Sequence, residues 1–79
     1  MFVKFLLNGL AVRKELPCIT FDALQEAALS AHPSAGSHAL AFEDEDGDMV
    51  RIGNESELVS AMQDPSFKPR FHLVRKLLA

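Results

Sequence analysis

The stretch Phe42-Glu43-Asp44-Glu45-Asp46-Gly47-Asp48 sets a carboxylate at nearly every position, and Glu55, Glu57 and Asp64 follow soon after. Acids this crowded can do three kinds of chemistry. They can hold a hard cation such as calcium, split their pKa values for acid–base work, or receive ammonium and guanidinium groups from a partner. A helix-flanked calcium loop beginning at Asp44 would take Asp46, Asp48 and Glu55 at its later ligand positions. Met49, however, stands where such a loop turns on glycine, and the flanks read as strands, so no metal site is expected. Acid–base chemistry needs an environment that drives two carboxyl groups apart in pKa, and a solvated turn provides none. His32, His38 and His72 are scattered and read as ordinary surface or strand residues, and the serines cluster in loops. No catalytic residue, cofactor or small-molecule substrate is expected, and the chain does not read as an enzyme. Charge recognition is what remains.

The charge is segregated. Glu43, Asp44, Glu45, Asp46, Asp48, Glu55, Glu57 and Asp64 share their segment with Arg51 alone, while every other base of the chain's 8 lies outside it. A net charge of -3 therefore conceals regions of opposite sign, and complementary regions steer association and fix its register. The acidic balance argues against nucleic acid. Lys68, Arg70, Arg75 and Lys76 could touch phosphate, but no aromatic platform or motif accompanies them.

With 79 residues and 48% hydrophobic content, the chain reads as a single domain over 1–79 with a modest core. No run of about 18 apolar residues spans a membrane, and Met1–Leu7 is too short for a signal peptide. Cys18 has no partner for an internal disulfide, which fits a reducing, cytoplasmic setting, and it is expected to be buried or half-buried.

The elements that must position the acids follow from local chemistry. Asn8-Gly9 between two apolar runs is a hairpin signal, predicting antiparallel strands over Phe2–Leu7 and Leu10–Leu16. Val3, Phe5 and Leu7 then share one face and Lys4 points to the other. Thr20 is an N-cap for a helix over Phe21–His32, with Phe21, Leu24, Ala28 and Ala31 as its apolar stripe. Proline after His32 ends it, and residues 33–37 read as a loop. His38–Glu43 and Asp48–Ile52 form a second hairpin about an Asp46-Gly47 turn, with Leu40, Phe42, Val50 and Ile52 inward. Asn54 with Glu57 resembles a capping box for a short helix, Glu55–Gln63, burying Leu58 and Met62. A loop bracketed by Asp64-Pro65 and Lys68-Pro69 leads to a last strand, Arg70–Lys76, with Phe71 and Leu73 on one face. The order ββαββαβ suits an α+β fold, a mixed sheet with a helix packed on one face, analogous to the ubiquitin-like β-grasp.

Residues 42–52, with Glu57-Leu58 after them, resemble the octicosapeptide/acidic (OPCA) motif of the Phox-and-Bem-type (PB-one) domain. That pattern has an aromatic, spaced acids around Asp-Gly-Asp, a hydrophobic strand and a further acid at the second helix, and the likeness extends over the whole chain. The resemblance implies a ubiquitin-like fold and front-to-back pairing. An acidic face of Asp44, Asp46, Asp48 and Glu57, helped by Glu55 and Glu43, would dock on a basic face of Lys4, Arg13 and Lys14 from the next molecule. It further implies a scaffold of signalling or selective autophagy that assembles with itself or with other PB-one domains. Lys14 stands where such scaffolds often carry Arg, which weakens its grip on a carboxylate, and Glu15 dilutes the cluster.

Two alternatives stay open. An acidic-only domain would be monomeric alone and pair with a basic partner domain of a kinase or adaptor. A ubiquitin-like modifier would end in Gly-Gly, unlike Lys76-Leu77-Leu78-Ala79, so conjugation is not expected.

Overall fold

The computed structural model describes residues 1–75. Its elements are β1 (Phe2–Leu7), β2 (Leu10–Glu15), α1 (Phe21–Ala31), a 3-10 turn (Pro33–Ser37), β3 (His38–Glu43), β4 (Met49–Ile52), α2 (Glu55–Met62) and β5 (Arg70–Arg75). The expected extension of the last strand to Lys76 lies outside the described residues. The strands form one sheet in the order β2-β1-β5-β3-β4. β1 and β5 run parallel and the other neighbours antiparallel. This is the anticipated α+β layout, a mixed, β-grasp-like sheet with two helices.

The hairpin signal works as backbone chemistry requires. Asn8 and Gly9 take φ of 51° and 83°, the left-handed pair that matches the twist of the strands they join. Thr20 Oγ1 accepts from the Ala23 N–H at 3.2 Å, capping α1. Asn54 does the same for α2 at the Glu57 N–H, at 2.9 Å. The reciprocal bond of that box lands one residue earlier than the usual pattern, from the Gly53 N–H to Glu57 Oε1 at 2.7 Å.

Alternation along each strand then decides what is buried. Val3, Phe5, Leu40, Phe42, Ile52, Phe71 and Leu73 face the helices, meeting Leu24, Ala27 and Ala28 of α1 and Leu58 and Ala61 of α2. Phe5 and Phe71 stack in neighbouring strands, ring centroids 6.2 Å apart, and Phe67 braces Phe71 at 5.9 Å. Among the described residues, the opposite face of the sheet bears no helix.

Four expectations need correction. Cys18 is exposed, because Leu16 before it and Ile19 after it take the inward positions and leave the thiol on the outside of a bend. Val50 is 39% exposed although it lies opposite buried Phe42, since it sits on the short edge strand at the rim of helix cover. His32 is no surface residue. It caps the C-terminus of α1, its N–H reaching the Ala28 carbonyl at 2.8 Å, and its buried ring approaches the Phe5 carbonyl at 3.1 Å. A carbonyl only accepts, so Nε2 carries the proton there. Residues 33–37 are wound as a 3-10 turn, with Ser37 Oγ donating to the Ser34 carbonyl at 3.2 Å.

Leu58 is fully buried where α2 meets the sheet. Leu58→Ala should lower unfolding free energy by about 2–5 kcal/mol, read from urea denaturation, because the site cannot fully collapse around the missing atoms.

Candidate functional site

The acidic hairpin turn is organised by one of its own acids. Asp44 Oδ1 accepts two backbone N–H groups, from Asp46 at 3.0 Å and from Asp48 at 2.9 Å. The Asp44 N–H closes the turn on the Asp48 carbonyl at 2.9 Å, and the Gly47 N–H reaches the Asp44 carbonyl at 3.0 Å. Gly47, at φ 83°, supplies the left-handed step. Asp44 is thus half-buried and structural as well as charged, while Asp46 and Asp48 stand exposed. One carboxylate oxygen from each of the three lies within 4.8 Å of the others. Repulsion at that spacing costs roughly 1 kcal/mol per pair in water-like surroundings, and among the described residues only Asp44 of the three has backbone donors to offset it.

A second group of acids meets this turn across a groove between β4 and α2. Its floor includes Phe42, Val50 and Ala61, and its rim carries Asp44, Glu57 and Asp64, with Arg51 alongside. An apolar floor below a carboxylate rim suits a long cationic side chain, whose stem lies on the floor while its head meets the acids. Asp64 lies outside the acidic face expected from the sequence, and the structure adds it to that face. Its spacing from Glu57, two helical turns on, was the signal available. Its pKa lies below the ordinary carboxylate range, first because the Ser66 hydroxyl donates to Oδ1 at 2.7 Å and then because the Ser66 N–H does so at 2.8 Å.

The two remaining acids of the expected face differ from the rest. Glu43 ends β3 beside the turn. Glu55 Oε2 accepts the N–H of Phe21 at 2.8 Å, so it fastens the start of α2 to the start of α1. Glu55 holds the scaffold of the site, and its offer to a partner is reduced.

The bases are sorted by the strand register. Lys4 lies opposite Arg13 and beside Arg70 in the sheet, so these three form one row on the helix-free face. Lys14 lies opposite Val3, which places it on the helix-covered side. The expected trio of Lys4, Arg13 and Lys14 is therefore not one cluster. Lys68 replaces Lys14 in it: Phe2, Lys4, Arg13, Lys68, Pro69 and Arg70 line a common groove. The Lys4 N–H bonds the Pro69 carbonyl at 3.0 Å, which draws the loop bearing Lys68 to β1.

Among the described residues, no ion pair joins a Lys or Arg to any of these carboxylates. The acidic groove opens at the β4 edge beside the helices and the groove of Lys4 and Arg13 on the other face towards β2. The two charges meet between them, where Lys68 and Arg70 line a further groove with Glu43, Asp44 and Glu45. Neither the models of protein families nor the curated proteins give a match to this chain. Among the described residues, no helix is long and apolar enough to cross a membrane.

Asp44→Ala should disorder the turn as well as remove a charge, whereas Asp46→Ala should remove charge alone. Amide exchange at Asp46 and Asp48 separates them, rising at least about tenfold in the first variant only, since a local hydrogen-bonded turn is lost. For Asp64, a native pKa below the unfolded one stabilises the fold above the ordinary carboxylate range, and that contribution is lost as pH falls through the lowered native value. Ser66→Ala should move the Asp64 titration upward, read by carboxyl-carbon NMR.

Proposed function

We propose that this chain is a protein-interaction module of the PB-one type, which associates head-to-tail by seating the basic face of one molecule on the acidic face of the next. The observation that carries the reading is the crowding of Asp44, Asp46, Asp48, Glu57 and Asp64 about one turn and groove, without an ion pair among the described residues, while Lys4 and Arg13 stand together on the other face of the sheet. Like charges held this close favour a state in which a cationic partner neutralises them. The motif at residues 42–52 supports the same reading.

Affinity comes from number. One exposed ion pair contributes about 0–1 kcal/mol, whereas several charge-assisted hydrogen bonds in one patch reach roughly micromolar affinity and are strongly screened by salt. Donor and acceptor patches are different surfaces, so the contact is heterologous and closes into a ring or grows as an open chain. Assembly of this kind multiplies weak contacts through avidity, the use a signalling or autophagy scaffold makes of it.

The test is size against concentration and salt, by light scattering or analytical centrifugation. Wild type should form large assemblies at low salt that dissociate as salt rises. Asp46→Lys and Lys4→Glu should each be monomeric, and an equal mixture should give a dimer, because each retains one good face. A wild type that stays monomeric at high concentration and low salt rejects self-assembly. In that case, binding of a basic partner domain by wild type but not by Asp46→Lys would favour the acidic-only alternative.

A further inference from the structure

The sheet ends at β4, and no strand lies beyond it among the described residues. Which of its backbone groups stay free follows from the register. Antiparallel pairs alternate between those that exchange hydrogen bonds and those that do not. The Asp44 N–H bonds the Asp48 carbonyl, so the bonded pairs that follow are Phe42 with Val50 and Leu40 with Ile52. The N–H and C=O groups of Met49 and Arg51 therefore point away from β3. Among the described residues, no turn or side chain takes any of these groups. The edge is bounded at both ends. Asp44 closes it at the turn, and the Gly53 N–H is already held by Glu57 Oε1.

What flanks this edge differs from face to face. On the helix side Val50 opens onto the groove of Phe42 and Ala61, whose rim carries Asp44, Glu57 and Asp64. On the other side stand Met49, 46% exposed, and the cation Arg51. Edges are ordinarily guarded by charge or by short length. Here a large apolar residue projects from each face of the edge, with free main-chain groups between them. A strand laid along β4 continues the alternation of the sheet, so each of its residues meets a fixed neighbour. The residue opposite Val50 extends over the apolar floor to the acidic rim, which suits Lys or Arg. Its two flanking residues lie on the other face. The one against Met49 suits an apolar side chain, and the one against Arg51 suits Asp or Glu.

We infer that the β4 edge takes an extended segment of another protein as an added strand, antiparallel to β4 and reading acidic, basic, apolar from its N-terminus to its C-terminus. Charge complementarity commits the occupant. Carboxylates about the groove on one side of the edge and a guanidinium on the other ask for opposite charges at adjacent positions of a single strand. The flanking residues exchange main-chain hydrogen bonds with Met49 and Arg51, and antiparallel pairing is the more stable kind per residue. Main-chain pairing supplies the affinity and the side chains supply the choice. This contact is independent of head-to-tail assembly: it spends backbone groups, and a chain that never self-assembles offers them equally.

The experiment uses the full chain carrying Lys4→Glu, which blocks head-to-tail growth, and a short capped peptide whose core reads Glu, Lys, Leu between threonines. Wild type, diluted until monomeric, serves if circular dichroism shows that Lys4→Glu does not fold. Calorimetry gives Kd and amide exchange reads the edge. A methyl on the backbone nitrogen of the peptide Leu, which pairs with Met49, should weaken binding at least about tenfold, since a paired acceptor is left without its donor. The same methyl on the peptide Lys nitrogen, which points away from β4, should leave Kd within about twofold. A peptide with the core reversed should bind about fivefold more weakly, because acid then meets Met49 and Leu meets Arg51. In the protein, Glu57→Gln and Asp64→Asn should each weaken binding about threefold at low salt. Exchange of the Met49 and Arg51 amides should slow on binding, and that of Val50, already paired with Phe42, should not. Equal affinity for the two methylated peptides rejects strand addition, and equal affinity for the reversed peptide rejects the antiparallel order. A parent peptide that does not bind at low salt and high concentration overturns the inference outright, while head-to-tail pairing stands untouched.

Discussion

Electrostatic repulsion among carboxylates is the constraint around which the rest of the molecule is arranged. A tight turn holding Asp44, Asp46 and Asp48 would spring open if nothing opposed it. Opposition comes from two backbone N–H groups aimed at a single oxygen of Asp44 and from a glycine in the left-handed region. The turn is therefore fixed locally, with no ion pair to a Lys or Arg among the described residues. The negative potential is left intact at the surface, which a cis ion pair would have destroyed.

The sheet does the complementary work. Its central pairing, parallel β1 against β5, brings a residue from each end of the described chain side by side, and so converts bases distant in sequence into a row. The same pairing stacks Phe5 on Phe71 beneath the helices. One register thus sets both the core and the charge pattern on the other face. A one-residue slip would exchange the two, which is why the pattern is well specified.

Where a fold depends on nearest neighbours, its signals could be read directly. Asn8-Gly9, Thr20 and Asn54 each act on backbone within a few residues, and each is found doing so. What could not be read depends on pairing across the chain. Alternation alone separates Arg13 from Lys14, but only the opposition of Lys14 to Val3 tells which of the two joins Lys4. Arg70 enters the row through a parallel contact that no local pattern announces. Val50 shows the converse case: its apolar character places it on the inner face correctly, yet the extent of helix cover decides that it stays exposed. Cys18 followed the usual preference of its residue type and lost to the larger side chains on either side.

The bond from the Phe21 N–H to Glu55 Oε2 spans 34 residues of chain and belongs at once to both helices. It makes the opening turn of the first helix sensitive to whatever happens at the beginning of the second. A visiting guanidinium that captured that oxygen would release the Phe21 amide, so contact at the start of one helix would be felt as fraying at the adjoining start of the other. A carboxylate shared in this way is a mechanical linkage as well as a charge.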